Sequence, residues 1–151
     1  MKNSIEFLWT VVTTLKKAGI DTIVFGGWAE ELTGLNDPRP HGDVDLLYSA
    51  PDFSKVDAFL QNVDVQEIIL KHFPHKRAFM YQGVMVELIL VQPNAGVCST
   101  VFWNQYKLVW PELTDMSVEI EGDRVLRVAT PEILRFYRDI YNEIDVIRRL
   151  Q

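Results

Sequence analysis

The sequence has a single cysteine, Cys98, in 151 residues. No intrachain disulfide can form, no paired-cysteine zinc pattern can be written, and a reducing setting, the cytoplasm, is expected. A basic excess is missing too, since fifteen Lys and Arg face twenty-one Asp and Glu for a net charge of −6. Nucleic-acid binding draws its affinity from cations that displace counterions from phosphates, so nucleic acid is not an expected partner. The acidic surplus lies mainly in residues 1–75, which hold 6 basic and 11 acidic side chains. Long apolar runs are also absent: the opening segment Met1–Gly19 is broken by Glu6, Lys16 and Lys17, and nothing approaches the roughly 18 residues of a membrane span. No repeat, low-complexity tract or linker interrupts the chain, which reads as one domain over residues 1–151. What is present is apolar: 48% hydrophobic and 11% aromatic residues, too many for a disordered chain and enough to build a core.

Ile5, Leu8, Trp9, Val12 and Leu15 recur at helical spacing, with Asn3 and Glu6 placed to cap the start and Lys16, Lys17 and Gly19 suited to the end. Thr22–Phe25 predicts a short strand that stops at Gly26-Gly27, and Trp28–Thr33 a short helix closed by Gly34. Leu35–Gly42, with Pro38 and Pro40, predicts a loop that feeds a strand over Val44–Tyr48. Phe53, Val56, Phe59 and Leu60 mark another helix. Extended segments are expected at Val65–Leu70, Arg77–Tyr81 and Val84–Val91, the last two joined around Gln82-Gly83. Gln92–Pro111 is rich in aromatic residues without a clean period, and no element is assigned there. Val118–Ile120 and Val125–Val128 flank Glu121-Gly122-Asp123 as a hairpin. Thr130-Pro131 then opens a long helix that turns Ile133, Tyr137, Ile140, Tyr141, Ile144 and Ile147 inward.

The chemistry centres on Asp43-Val44-Asp45. Residues i and i+2 of a strand face the same way, so both carboxylates project together while Val44 turns to the opposite face. Two adjacent anions repel unless a cation neutralises them, and hard carboxylate oxygens suit Mg²⁺, which keeps positions free for water and phosphate. Gly26-Gly27, between a strand and a helix, lets backbone N–H groups approach an anion such as a triphosphate. Neither a Walker loop nor a dinucleotide fingerprint is present. Arg39 and His41 precede the aspartates at alternating positions; in an extended loop both face with Asp43, Arg39 toward phosphate oxygens and His41 as a donor or an orienter of carboxylate. Glu87 lies in the most apolar strand, where an unpaired charge is costly to bury, so it either faces solvent or meets a cation. If its strand neighbours that of Asp43 and Asp45, three carboxylates converge on one metal site. His72 and His75 lack a further ligand set and read as loop residues. Trp103, Tyr106 and Trp110 read as core or interface, and Arg135, Arg138, Arg148 and Arg149 as the solvated face of the last helix.

The combined string Gly26-Gly27-Trp28-Ala29, Gly34, Arg39-x-His41-x-Asp43-Val44-Asp45-Leu46 resembles the small antibiotic nucleotidyltransferases of the DNA polymerase β superfamily. It is similar above all to the aminoglycoside 2″-adenylyltransferases and lincosamide nucleotidyltransferases. The resemblance covers residues 20–48, with softer similarity at the Glu87 strand and at Thr130-Pro131-Glu132. It implies an α+β fold, a mixed twisted sheet flanked by helices. It also implies Mg²⁺-dependent transfer of a nucleoside monophosphate from a triphosphate to a small hydroxyl acceptor, with release of pyrophosphate. Gly26 and Gly27 would match the turn that holds the triphosphate, Asp43 and Asp45 the pair that ligates two Mg²⁺ ions, and Glu87 a third carboxylate position usually filled by aspartate. A homodimer is compatible with this reading. Two alternatives stay open at this point: an antitoxin-like nucleotidyltransferase acting with or on a partner protein, and a non-catalytic nucleotide-binding relative.

Overall fold

A computed structural model of the protein describes residues 2–151. Helix α1 (Ile5–Lys17) buries Phe7, Leu8, Val11 and Leu15, a stripe at helical spacing that seats it on the sheet. Its cap is Ser4, whose Oγ accepts from the Phe7 N–H at 3.1 Å. Asn3, one residue earlier, is drawn away from the expected cap by partners distant in the chain. Its amide donates to the carbonyl oxygens of His41 (3.0 Å) and Asp43 (2.8 Å), and its Oδ1 accepts from Trp28 Nε1 (2.9 Å). The N-terminus thereby pins the loop that enters the acidic strand.

The strands β1 (Thr22–Phe25), β2 (Asp43–Ser49), β3 (Val65–Glu67), β4 (Lys76–Tyr81) and β5 (Val84–Asn94) follow, then β6 (Val97–Phe102), β7 (Tyr106–Val109), β8 (Asp115–Ile120) and β9 (Arg124–Ala129). Their order is β3-β4-β5-β2-β1-β9-β8, with β6 and β7 continuing from the far end of β5. The sheet is mixed: β2 with β5 and β1 with β9 are parallel, the remaining pairs antiparallel. Strand β5 has neighbours on both edges and buries Val84, Val86, Leu88, Ile89, Leu90 and Val91, which accounts for apolar residues on both of its faces. The expected α+β architecture is observed. Among the described residues no helix is long and apolar enough to cross a membrane.

Three helices complete the layers: α2 (Gly26–Leu32), α3 (Ser54–Phe59) and α4 (Pro131–Arg149). The glycine pair, expected as a turn before a helix, forms the first residues of α2 itself. The expected strand Val65–Leu70 ends at Glu67 and gives way to a 3₁₀ turn over Ile69–Lys71. Strand β3 is an edge with one partner, and past Glu67 its apolar side chains have nothing to cover them; Ile69 and Leu70 stay exposed. The aromatic stretch left unassigned in the sequence is the β6–β7 hairpin, in which Phe102, Leu108 and Trp110 are buried. Helix α4 buries Ile133, Leu134 and Ile144, whereas Tyr141, expected inward, is 43% exposed.

Candidate active site

Register brings the acidic residues together. Because β2 and β5 run parallel with Asp45 opposite Glu87 and Asp43 opposite Met85, the two-residue period of both strands points Asp43, Asp45 and Glu87 to one face. One carboxylate oxygen from each lies within 4.8 Å of the others. Glu87 is only 9% exposed and meets cations: Lys71 Nζ donates to Oε1 at 2.5 Å and Lys76 Nζ to Oε2 at 3.3 Å. Lys71 comes from the 3₁₀ turn and Lys76 from the first position of β4.

Charge at this face is unevenly met. Burial raises the Glu87 carboxyl, but Lys76 and Lys71 outweigh it and hold the group below the usual glutamate value. Asp45 has no such partner; burial, then the charges of Asp43 and Glu87, push its carboxyl up to about 7. Asp43 is raised as well, first by burial and then by Glu87, against the pull of Lys71, Lys76 and His41. Both ammonium groups serve Glu87, and among the described residues no cationic side chain is hydrogen-bonded to either aspartate. Clustered hard oxygens and uncompensated negative charge suit a divalent cation such as Mg²⁺, so the donor set fits the metal that the sequence suggests.

The glycine pair sits against this cluster. Gly26 has φ +61°, and a Cβ there would come within 3.0 Å of Asp45 Cγ and 2.9 Å of its Cβ, so both conformation and space require glycine. A Cβ on Gly27 would fall 2.9 Å from His41 Nδ1 and 3.1 Å from Arg39 Nη2. Arg39 and His41 thus flank the turn. His41 is held by Glu31 (Nε2 to Oε1, 2.8 Å), and its ring lies 4.2 Å from that of Trp28. Arg39 is half exposed and reaches Glu30 at 3.4 Å. Neither lines the cavity that Asp43, Asp45 and Glu87 open into.

That cavity, of about 660 Å³, has the glycine turn, the three carboxylates and Lys76 on one side and α4 on the other. Tyr137 stacks on Trp110 (5.8 Å between centroids, 10° between planes) and meets Phe25 edge-on at 5.0 Å. Burial, more than any neighbouring charge, moves its hydroxyl upward from the usual tyrosine value. Arg138, read from the sequence as a solvated residue, turns to the cavity and donates to Glu30 at 2.6 Å. Lys71, Lys76, Asn3 and Tyr137 were not singled out as site residues either. Lys76 carried a signal: the argument that Glu87 needs a cation asks for a basic residue on a neighbouring strand. His75 is a core residue rather than a loop histidine: 2% exposed, stacked on Phe73, its Nδ1 accepting from the Trp103 N–H at 3.1 Å. Burial, with Lys76 adding, depresses it to about 3. His72 pairs with Glu67 at 2.7 Å.

No protein-family model matches the chain, and no curated protein matches it in sequence. Solved structures do. The lincosamide antibiotic adenylyltransferase LnuA, bound to lincomycin, superposes with a TM-score of 0.74 at 15% identity, over 91% of this chain and 87% of that one. A Thermotoga maritima protein put forward as a nucleotidyltransferase gives 0.64 at 16% identity, over 97% and 89%. ANT(2″)-Ia in complex with adenylyl-2″-tobramycin gives 0.63 at 10% identity, over 91% and 76%. The chain has the fold of these nucleotidyltransferases.

Proposed function

We propose that the protein is a nucleotidyltransferase that moves a nucleoside monophosphate from a triphosphate to a hydroxyl of a small molecule, releasing pyrophosphate in a cytoplasmic setting. The observation that carries this reading is the meeting of Asp43, Asp45 and Glu87 on adjacent parallel strands beside the Gly26-Gly27 turn. Asp43 and Asp45, with Glu87, would hold Mg²⁺ as a pair of ions, which when bound screens the phosphates and stabilises charge on the attacking and leaving oxygens.

The chain's own groups divide the remaining work. Backbone N–H groups of Gly26 and Gly27 bind the triphosphate where no side chain intrudes, and the half-exposed Arg39, outside the cavity but beside Gly27, would have to swing from Glu30 to bring its guanidinium to the phosphates. His41, fixed by Glu31 and Trp28, holds the loop in place behind the turn. Lys71 and Lys76 keep Glu87 ionised and so able to take a proton. The acceptor oxygen attacks the α-phosphorus as its proton passes to Glu87; the bond from that phosphorus to the bridging oxygen breaks, and pyrophosphate leaves with the electron pair.

The test is a pyrophosphate-release screen of each of four triphosphates with Mg²⁺ against aminoglycosides, lincosamides, simple sugars and alcohols. Release that depends on the acceptor is the expected result, and Asp45→Ala should abolish it while leaving the fold intact. Undiminished transfer by that variant rules out the metal assignment. Triphosphate binding without release against any acceptor would leave a nucleotide-binding protein in place of an enzyme.

A further inference from the structure

The glycine turn, the three carboxylates, Lys76 and Ile89 line the sheet side of the cavity, so an acceptor has to approach along the other, which α4 provides. Leu134, Tyr137 and Tyr141 make part of this second wall apolar and aromatic, and Arg138 and Asn142 make the rest polar. From α4 come Leu134, the ring of Tyr137, and Tyr141, which is 43% exposed and 5.9 Å from Tyr137 between centroids. A recess of about 50 Å³ adjoins it, sharing Lys76, Ile89, Tyr137 and Tyr141. Trp103 also lines the recess, and among the described residues its buried indole Nε1 has no hydrogen-bond partner.

The carboxylates outside the acidic cluster are already taken. Glu30 accepts from Arg138 at 2.6 Å, from Asn36 at 3.0 Å and from Arg39 at 3.4 Å. Asp145, in the recess, is bridged by Arg148 and by Arg149, the latter at 2.8 Å. Among the described residues lining the cavity and the recess, no carboxylate outside the acidic cluster is left for an ammonium group on an acceptor, while Lys76, Arg138 and Arg148 would repel one.

We infer that the acceptor is an uncharged hydroxyl compound with a flat apolar face, of the aryl glycoside class, and not a polyammonium sugar. This rests on the transfer reading proposed above. The rings of Tyr137 and Tyr141 pack on the apolar face, and the recess takes its end.

Calorimetric titration with saturating Mg²⁺ and a non-hydrolysable triphosphate tests this, using 4-nitrophenyl glucoside and the polyamine sugar neomycin as probes, with pyrophosphate release followed in parallel. The glucoside is expected to bind at least about tenfold more tightly than neomycin. Arg138→Gln, a surface change that uncovers Glu30, should shift the ratio about three- to tenfold toward neomycin. Tyr141→Ala should weaken the glucoside about three- to tenfold. Tighter binding of neomycin, binding of neither probe, or a ratio unmoved by Arg138→Gln overturns the inference. Pyrophosphate release with neomycin alone keeps the transfer reading and sinks the inference. Glucoside binding without release from any triphosphate keeps the ligand class and sinks transfer.

Discussion

Replacing Asp45 by Asn separates what the acidic cluster costs the fold from what it does. In the wild-type protein without metal, the Asp45 carboxyl titrates at about 7 in the fold against 3.8 for the unperturbed group, chiefly because of burial and then because Asp43 and Glu87 repel its charge. A raised folded value means that the native state binds more protons than the unfolded chain between about pH 4 and pH 7. Stability therefore falls across that window as pH rises, and the cost is complete above about pH 7. A tenfold change in proton affinity corresponds to about 1.4 kcal/mol, so the ceiling is about 4 kcal/mol. Part of this shift comes from the charges of Asp43 and Glu87, which remain in the variant, and about 2 kcal/mol is expected for the substitution. Asn has the same shape, and no cationic partner is lost, since both lysines sit on Glu87. Urea unfolding in EDTA at pH 4, 6 and 8 should find the variant level with wild type at pH 4 and about 2 kcal/mol more stable at pH 8, roughly 4–8 °C in Tm for a chain of this size. Millimolar Mg²⁺ should narrow the gap by stabilising wild type alone. A variant less stable at every pH, or a gap indifferent to both pH and Mg²⁺, refutes the reasoning.

Gly26→Ala should lose about 2–3 kcal/mol of stability, from the left-handed backbone and from the Cβ pressed on Asp45, and should lose transfer as well; a urea midpoint unchanged from wild type would show that the turn relaxes freely. Lys76→Met leaves Glu87 with Lys71 alone and should cost about 1–2 kcal/mol in EDTA and less in Mg²⁺, as read by urea unfolding in the two buffers. His75 is held neutral in the fold down to about pH 3, against 6.5 for the unperturbed ring, so the unfolded chain takes up the extra proton as pH falls through that window. Each tenfold rise in proton concentration there should remove up to about 1.4 kcal/mol, and His75→Gln should flatten the acid limb of a Tm-against-pH curve, whereas an unchanged limb would mean that the ring protonates in place.

The elements were legible in the sequence where one periodicity held over several residues. The helical spacing of Ile5, Leu8, Trp9, Val12 and Leu15 and the alternation around Asp43-Val44-Asp45 each follow from a local geometry that any chain with those residues would share, although of the helix residues only Leu8 and Leu15 are fully buried, with Phe7 and Val11 beside them. The places where the reading slipped are those where a distant partner decided the outcome. Asn3 has the chemistry of a cap, yet two carbonyl groups some forty positions away hold its amide, and Ser4 caps in its place. Ile69 and Leu70 read as strand because they are apolar, but an edge strand with nothing to cover it has no reason to continue. The β6–β7 hairpin hid because its aromatic residues meet different partners rather than repeating along one face: Phe102 packs on His75, Tyr106 donates to Glu143, and Trp110, just past β7, packs on Phe25, Phe136 and Tyr137.

For the site, the same division runs between residues of one sign and their complements. Asp43, Asp45 and Glu87 announce themselves because a carboxylate in or beside an apolar strand is an energetic problem that demands a partner. The partners carry no such mark. Lysine and arginine are common on surfaces, and their long side chains reach partners that sequence spacing does not reveal. Lys71 sits in a turn with no pattern of its own, and Arg138 belongs to a helix whose exposed face is rich in arginine, so each became visible only when the fold brought Glu87 and Glu30 within reach. His75 shows the limit from the other side: a histidine beside a proline reads as a loop residue, but packed between Phe73, Phe102 and Trp103 it serves as an aromatic core residue with one accepting nitrogen. An acidic cluster can therefore be found from the chain alone, whereas the position of Lys76 depends on the sheet's register, where Ala78 lies opposite Glu87 and so sets Lys76 two residues along the same strand, on the same face as its carboxylate.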